Sequence, residues 1–346
     1  MMNSTKPPLF FWLAIFLAVA GGALYLWSPA LLTREPLPPA DSPPLFQEEL
    51  IPYDLLSDVQ EEYSINIKSQ LSEDEIYQPA MALCVMVEKY ADEMNCHFQQ
   101  SGQHQGQLEL ISEALLIDQV SQSGIYGTVL KNQKQIVTPL YALAFQCVVR
   151  KSSGIRRLSE LSNKKVAVGA LNSEEELLTR RLLQAHGIDY SFFEPVYIGL
   201  TAAVKAMEAG LIDCIATHAA LPSQPIAQMA ANFDIVLLPL ENVQLIDGIE
   251  SFLPGYKMIT VPSQTYKGMD RYILTAATKV ILAAERETKL VITYELTKAL
   301  YDHMAEYKSV FFIDQEIKGN QLNDKYPLSF HQGAVKYYWE RDLIWN

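Results

Sequence analysis

Lys165 to Gln184 reads KVAVGALNSEEELLTRRLLQ. The order is an apolar strand, a short turn, and a helix that runs to a glycine stop at His186-Gly187. The first turn of a helix offers unpaired backbone N–H groups and the positive end of the macrodipole, so it commonly holds an anion. Here that turn carries Glu174, Glu175 and Glu176. Three acids favour the helix dipole, yet they occupy the positive potential that a bound anion would use. Either they turn to solvent, or the bound molecule is not a simple anion. Ser173 and Glu176 also have the spacing of a capping box, which by itself is structural.

Working outward, strands and helices alternate. Tyr63 to Ser69 (YSINIKS) reads as a strand, and Pro79 to Tyr90 as a helix with proline in its first turn. Cys96 to Ser101 reads as a strand, Gln105 to Leu116 as a helix, and Ala142 to Lys151 (ALAFQCVVRK) as a buried strand. EPVYIG, AAVKAMEAG and LIDCIATH repeat strand, helix, glycine stop and strand. FDIVLLPL and YKMITVP follow as strands. A long helix is expected from Asp270 through Tyr307, with a last one over Gly333 to Glu340. Such alternation predicts an α/β protein with parallel sheets covered by helices, in which a sheet interrupted by a second leaves a cleft between two lobes. Ligands of open α/β sheets bind where strands lead into helix N-termini.

The N-terminus departs from this pattern. Leu9 to Trp27 is uncharged and apolar over a length that spans a bilayer as a helix. Lys6 and the terminal amine precede it, which orients the remaining chain away from the cytoplasm. Ala18-Val19-Ala20 would serve as the cleavage site of a signal peptide. The apolar run, however, continues through Tyr25 and Trp27, an interfacial aromatic pair, and this favours an uncleaved anchor. Residues 1–8 are then cytoplasmic, 9–27 the transmembrane helix and 28–62 a semi-extended spacer rich in proline.

The chain has 346 residues, 49% of them hydrophobic, and a formal net charge of −13. Its length suits two domains of ordinary size. The acid excess and the lack of a basic stripe exclude nucleic acid as a partner. The four cysteines, Cys84, Cys96, Cys147 and Cys214, have no metal-ligand spacing. Cys84 and Cys96 are the pair nearest in sequence, and Cys147 and Cys214 read as buried strand thiols; no obligatory disulfide is expected. GxSxG, HExxH, P-loop and dinucleotide-binding motifs are absent, so the sequence predicts a binder rather than an enzyme, with no cofactor and no metal.

From about Ser64 to Glu340 the chain resembles the TAXI family of extracytoplasmic solute receptors, which serve TRAP transporters. VVRKSSGIRRLSELSNKKVAVGALNSEEELLTRRLLQAHGI is similar to that family's hinge-strand segment, and VYIGLTAAVKAMEAGLIDCIATHAALPSQPI to the segment that follows it. VPSQTYKG resembles its "IP.gtYpGq" turn, and SFHQGAVKYYWE its closing "lHpGA.kYy.e". The resemblance implies a type II periplasmic-binding-protein-like fold: two α/β lobes, 63–148 with 255–346 and 149–254, joined by a hinge and closing on a small organic solute. It also implies TRAP membrane subunits as partners and an ectodomain facing the periplasm from the inner membrane.

The resemblance also locates the candidate ligand contacts. Where the family has a glycine-rich turn ending in tyrosines, this chain has KSQLSEDEIYQP, Lys68 to Pro79, without a glycine. Side chains must fill that space or reshape the turn; Ser69 and the surviving Tyr77 are its candidates, and Lys68 could bring positive charge. The second cleft motif corresponds to Ser101 to Gln107. Gln103, His104 and Gln107 line the cleft if the family geometry holds, and form a polar exposed loop otherwise. Gln122 stands in a "vQSD" position. Ser173 and Glu175 belong to the altered "gSGTe" turn. Thr201 opens a helix after Gly199, as ligand donor or plain N-cap, and Tyr256 precedes a return strand from which it could close over the cleft. The departures from the family pattern motivate an alternative: a degenerate binding-protein fold serving as a tethered sensory or protein-interaction ectodomain without a transport role.

Overall fold

The structure, a computed structural model, describes residues 63–69, 73–91, 94–100, 107–121, 133–311, 322 and 325–344. The chain divides into two units, Met1–Pro44 and Leu45–Asn346, and every described residue lies in the second. The expected anchor over 9–27 and the spacer over 28–62 lie outside the described residues. Among the described residues no helix is long and apolar enough to cross a membrane.

The strands are β1 (Tyr63–Ser69), β2 (Met94–Gln100), β3 (Leu108–Ser112), β4 (Lys134–Arg150), β5 (Lys165–Ala167), β6 (Glu194–Val196), β7 (Cys214–Ala219), β8 (Ile235–Leu238), β9 (Tyr256–Val261) and β10 (Ile273–Glu285). The helices are α1 (Glu73–Tyr90), α2 (Glu113–Ser121), α3 (Glu174–His186), α4 (Leu200–Glu208), α5 (Gln224–Asn232), α6 (Val243–Asp247), α7 (Ile249–Phe252), α8 (Leu290–Asp302), α9 (Met304–Phe311) and α10 (Gln332–Glu340).

The ten strands of the described residues join one sheet in the order β2-β1-β3-β10-β4-β7-β5-β6, with β8 branching from β4 and β9 from β10. Two parallel trios, β2-β1-β3 and β7-β5-β6, sit at its ends. The long strands β4 and β10 join them and run antiparallel to each other and to β3 and β7. Parallel trios agree with the strand–helix alternation; the antiparallel junction was not foreseen.

One core packs β1, β3 and the first part of β4 against α1, α8 and α10, with Leu83, Met86, Leu296 and Tyr338 at its centre. Beyond that point β4 is buried on both faces. Phe145, Cys147 and Val149 turn to the side covered by Leu178, Leu182 and Leu183 of α3. Ala144 and Val148 turn to the side covered by α4 and α5. This alternation is the period of a strand with no solvent face. The first core gives way to the other two between Leu143 and Ala144 on β4, and between Ala277 and Val280 on β10. Ala144 pairs with Ala277 and Leu143 with Thr278, so both changes fall at the same rungs of the sheet.

Three expected elements are corrected. Gln105 to Leu116 is not one helix: Leu108–Ser112 is a fully buried strand between β1 and β10, and the helix starts only at Glu113. Asp270 to Tyr307 begins with β10 rather than a helix. The alanine-rich run ILTAATKVILAAE has helical propensity, but its place between neighbours on both edges, with both faces buried, makes it a strand. α1 starts at Glu73 rather than near Pro79, so Pro79 sits inside it and withholds one backbone hydrogen bond. Glu73 to Pro79, the later part of the stretch that stands at the family's glycine-rich turn, is thereby helical.

A disulfide joins Cys84 on α1 to Cys96 on β2, against the expectation of no obligatory link, whereas Cys147 and Cys214 are free buried thiols as read. The cross-link closes a loop of sequence separation 12, for which lost chain entropy in the unfolded state contributes about 3 kcal/mol. A Cys84→Ser, Cys96→Ser double variant is therefore expected to lose about 3 kcal/mol of stability and to unfold at a lower urea midpoint. An unchanged midpoint would contradict the assignment.

Candidate functional site

β5 ends at Ala167, and the chain turns through Gly169 at φ +97 and Asn172 at φ +62 into α3. A Cβ on Gly169 would lie 2.9 Å from the Glu176 N and 3.2 Å from Glu175 Cγ, so only glycine lets this turn fold back on the helix. Ser173 caps α3, its Oγ accepting from the Glu176 N–H at 3.2 Å. The reciprocal half of the capping box is missing: Ser173 N–H donates to the Ala170 carbonyl, and Glu176 Oε1 lies 3.4 Å from Arg180 Nε one turn on.

The three glutamates do not turn to solvent. Glu174 and Glu175 are 2% exposed and Glu176 1%. Glu174 reaches to the junction of β3 and α2, where its Oε1 accepts the Ser112 N–H at 2.9 Å. Burial pushes the Glu174 carboxyl up to about 7, against the pull of the Ser112 hydroxyl and N–H, and the charge of Glu109 adds to the rise. Its Oε2 accepts no hydrogen bond among the described residues. Glu175 turns to β7 and accepts a hydrogen bond from Thr217 Oγ1.

Behind them runs a buried polar chain. Thr179 of α3 meets His218 Nδ1 at 3.2 Å, and His218 Nε2 meets the Tyr256 hydroxyl at 3.1 Å. Burial pushes His218 down to about 3, so the ring is neutral, and raises the Tyr256 phenol well above its ordinary value. Further contacts tie α2 to its surroundings: Asp118 with Arg181 of α3 at 3.0 Å, Glu113 with Lys279 of β10 at 3.9 Å, and Ala114 N–H with Thr278 Oγ1 at 3.1 Å. Glu109 pairs with Lys134. These contacts set the first turn of α3 against the first turn of α2.

Of the expected contacts, Ser173, Glu175 and Tyr256 come together around α3. Tyr256 is buried, with its hydroxyl against His218. Ser69 is buried at the end of β1, its hydroxyl donating to the Leu110 carbonyl. Tyr77 lies within α1. Gln107 has an exposed side chain, and its carbonyl accepts from the Glu285 N–H at the edge of β3. Thr201 is exposed in the first turn of α4, whose N-cap is Gly199. Lys68 is paired with Glu285 at 3.5 Å, away from α3. Gln103, His104 and Gln122 lie outside the described residues. Sequence reasoning missed Ser112, Thr179, Thr217 and His218. Ser112 and Thr217 are single hydroxyl residues near strand ends without a motif, and His218 carried no companion at metal-ligand spacing. Among the described residues no cluster of His, Cys, Asp and Glu fits a metal ion.

No curated protein matches this sequence. Solved structures do. MatC from Rhodopseudomonas palustris with bound malate is 12% identical, with a TM-score of 0.52 over 81% of this chain and 98% of that one. An R. palustris protein with adipate is 12% identical, with a TM-score of 0.46 over 81% and 95%. A TctC solute-binding protein from Polaromonas is 15% identical, with a TM-score of 0.43 over 81% and 97%. At these identities the likeness to MatC concerns the fold: an α/β periplasmic-binding-protein-like fold, with a curled sheet flanked by helices. The model of the NMT1-like family matches residues 95–341, more than half of the sequence. The chain belongs to the NMT1-like family.

Proposed function

We propose that this chain is a solute receptor of the TAXI kind, not an enzyme. It is anchored in the inner membrane by residues 9–27, faces the periplasm, and hands a small polar organic solute to the membrane subunits of a TRAP transporter. The residues between Ala144 and Ala277, which build the second and third cores, form one lobe, and those on either side of them form the other, a division that falls within the first lobe's bounds of 63–148 and 255–346 implied by the resemblance. They close by bending of β4 and β10 near the rungs Ala144–Ala277 and Leu143–Thr278, where the cores change. Ligand shifts such an equilibrium by binding the closed state more tightly than the open one. The observation that carries the reading is the 2.9 Å contact of Glu174 with the Ser112 N–H, which brings the first turns of α3 and α2 together. Facing helix starts at strand ends are where open α/β sheets hold small ligands. Membership of the NMT1-like family and the fold shared with malate-bound MatC support it.

The test is thermal unfolding of the full chain against amino acids, dicarboxylates, keto acids and polyamines. A ligand at a hundredfold excess over its Kd adds about 2.7 kcal/mol, a rise in Tm of several degrees. A folded sample that shifts with none of them removes the reading. One observation favours a second, that of a tethered sensory or protein-interaction ectodomain: Glu174 already takes the Ser112 N–H that an incoming anion would use. On that reading the panel stays flat in the Glu174→Gln variant too.

A further inference from the structure

Of the acids around the first turns of α2 and α3, four pair with cations and Glu175 is tied to Thr217 of β7. Glu109 has Lys134, Glu113 has Lys279, Asp118 has Arg181 and Glu176 has Arg180. Glu174, 2% exposed, has no cation among the described residues. Ser112 serves its Oε1, and its Oε2 accepts nothing among the described residues. A buried carboxylate oxygen left with an empty acceptor position is costly, and such groups are ordinarily satisfied by protein, water or ligand. The donor that offsets most of that cost is a charged one. An incoming carboxylate fares worse, because the Ser112 N–H is already taken and the fields of Glu174 and Glu109 repel it.

We propose that the solute held between α3 and the β3–α2 junction is a cationic amine, whose ammonium group donates to Glu174 Oε2 and supplies a cation that this carboxylate does not find among the described residues. The assignment deepens, and rests on, the reading of the chain as a solute receptor. It separates this chain from MatC, whose bound molecule is malate. It also gives a reason for an acid at the first position of a helix turn that an anion receptor would keep open.

The proposal has a pH signature. The groups facing Glu174 are Glu109 of β3 and Tyr256 of β9. Lys134 holds Glu109, and burial raises the Tyr256 phenol far out of range. On α2, Glu113 and Asp118 are held by Lys279 and Arg181, and on β7 His218 is neutral. Glu174, pushed up to about 7 by burial, changes charge between pH 6 and 8. An ammonium ion binds its ionised form, so amine affinity is expected to rise roughly tenfold from pH 6 to pH 8, with release of roughly half a proton at pH 7.

The experiment is calorimetric titration of the full chain and its Glu174→Gln variant with putrescine, spermidine, agmatine and choline, and with malate and adipate. Measurements at pH 6 and pH 8, in buffers of different ionisation enthalpy, count the protons released. Glutamine keeps the volume and the acceptor for the Ser112 N–H. The proposal expects an amine to bind with the stated pH dependence and proton release, and to lose tenfold or more in affinity, with its pH dependence, in Glu174→Gln. Should the variant not fold, proton release by the native chain decides the question. Three results would overturn the proposal. Amine binding without proton release, or unchanged in Glu174→Gln, places the amine elsewhere. Binding of malate or adipate but of no amine refutes the ligand class and leaves the receptor reading standing. Binding of neither class by a folded chain removes both.

Discussion

Replacing Glu174 by glutamine is expected to stabilise the protein at pH 8 by about 3 kcal/mol and to change little at pH 5. The carboxyl is pushed from 4.5 up to about 7 because burial disfavours its charged form. At 1.36 kcal/mol per pKa unit that difference is worth about 3 kcal/mol. The sign follows from proton counting. Between pH 4.5 and 7 the folded state holds a proton that the unfolded state has released, so stability falls as pH rises through this window. Below 4.5 both states are protonated and the cost vanishes; above 7 both are ionised and it is complete. At pH 5 the difference is below about 1 kcal/mol on the same arithmetic. Urea midpoints of the two proteins at pH 5 and pH 8 measure it directly. Parallel pH profiles would show that water reaches Glu174 and that the closed arrangement around it is wrong. A destabilising acid kept in the middle of a fold is the expected mark of a functional group.

The second large effect is expected at Gly255. This residue links α7 to β9 at φ +85, and a Cβ there would meet Ala114 Cα and N at 2.8 Å and Glu113 C at 3.0 Å. The obstacle is the backbone of the first turn of α2, which cannot give way like a flexible side chain. A Gly255→Ala variant therefore combines a left-handed backbone cost of about 1–2 kcal/mol with overpacking of about 1–3 kcal/mol. The expected loss is about 3 kcal/mol in a urea titration. It also pushes neighbouring Tyr256 away from His218, and α2 away from Glu174. Gly210 is the control: its φ is +72, but an added Cβ meets nothing within 4 Å. Gly210→Ala is expected to cost only the backbone part, about 1 kcal/mol. Equal losses at the two positions would mean that the close approach at Gly255 is absent.

Much of the fold was legible in the residues. The strand–turn–helix of Lys165 to His186 forms as read, down to Ser173 as N-cap and Gly187 as a left-handed stop. β1, β7 to β9, α4 and α10 fall close to their expected places, because period-two burial, glycine stops and caps are local signals. The resemblance was right at the level of the binding-protein fold. The stretch read as having lost the family's glycines, Lys68 to Pro79, ends in the beginning of α1. Ser69 and Gln107, read from the resemblance, lie at the ends of β1 and β3, where Ser69 donates to the Leu110 carbonyl and the Gln107 carbonyl accepts from the Glu285 N–H.

What the sequence by itself determined is the local part: the alternation of elements, the caps, the buried character of Cys147 and Cys214, and the presence of three acids in one helix turn. Tertiary structure decided the rest. The run from Ile273 to Glu285 is a strand only because β3, β4 and β9 surround it, a circumstance that no window of its own residues records. In the same way, the meaning of Glu174 depends on Ser112, 62 positions earlier in the chain. A carboxylate in a first helical turn is an ordinary solvated group until another part of the chain removes its water. Burial, which raises its affinity for a proton and leaves one oxygen in want of a donor, is a property of the assembled fold.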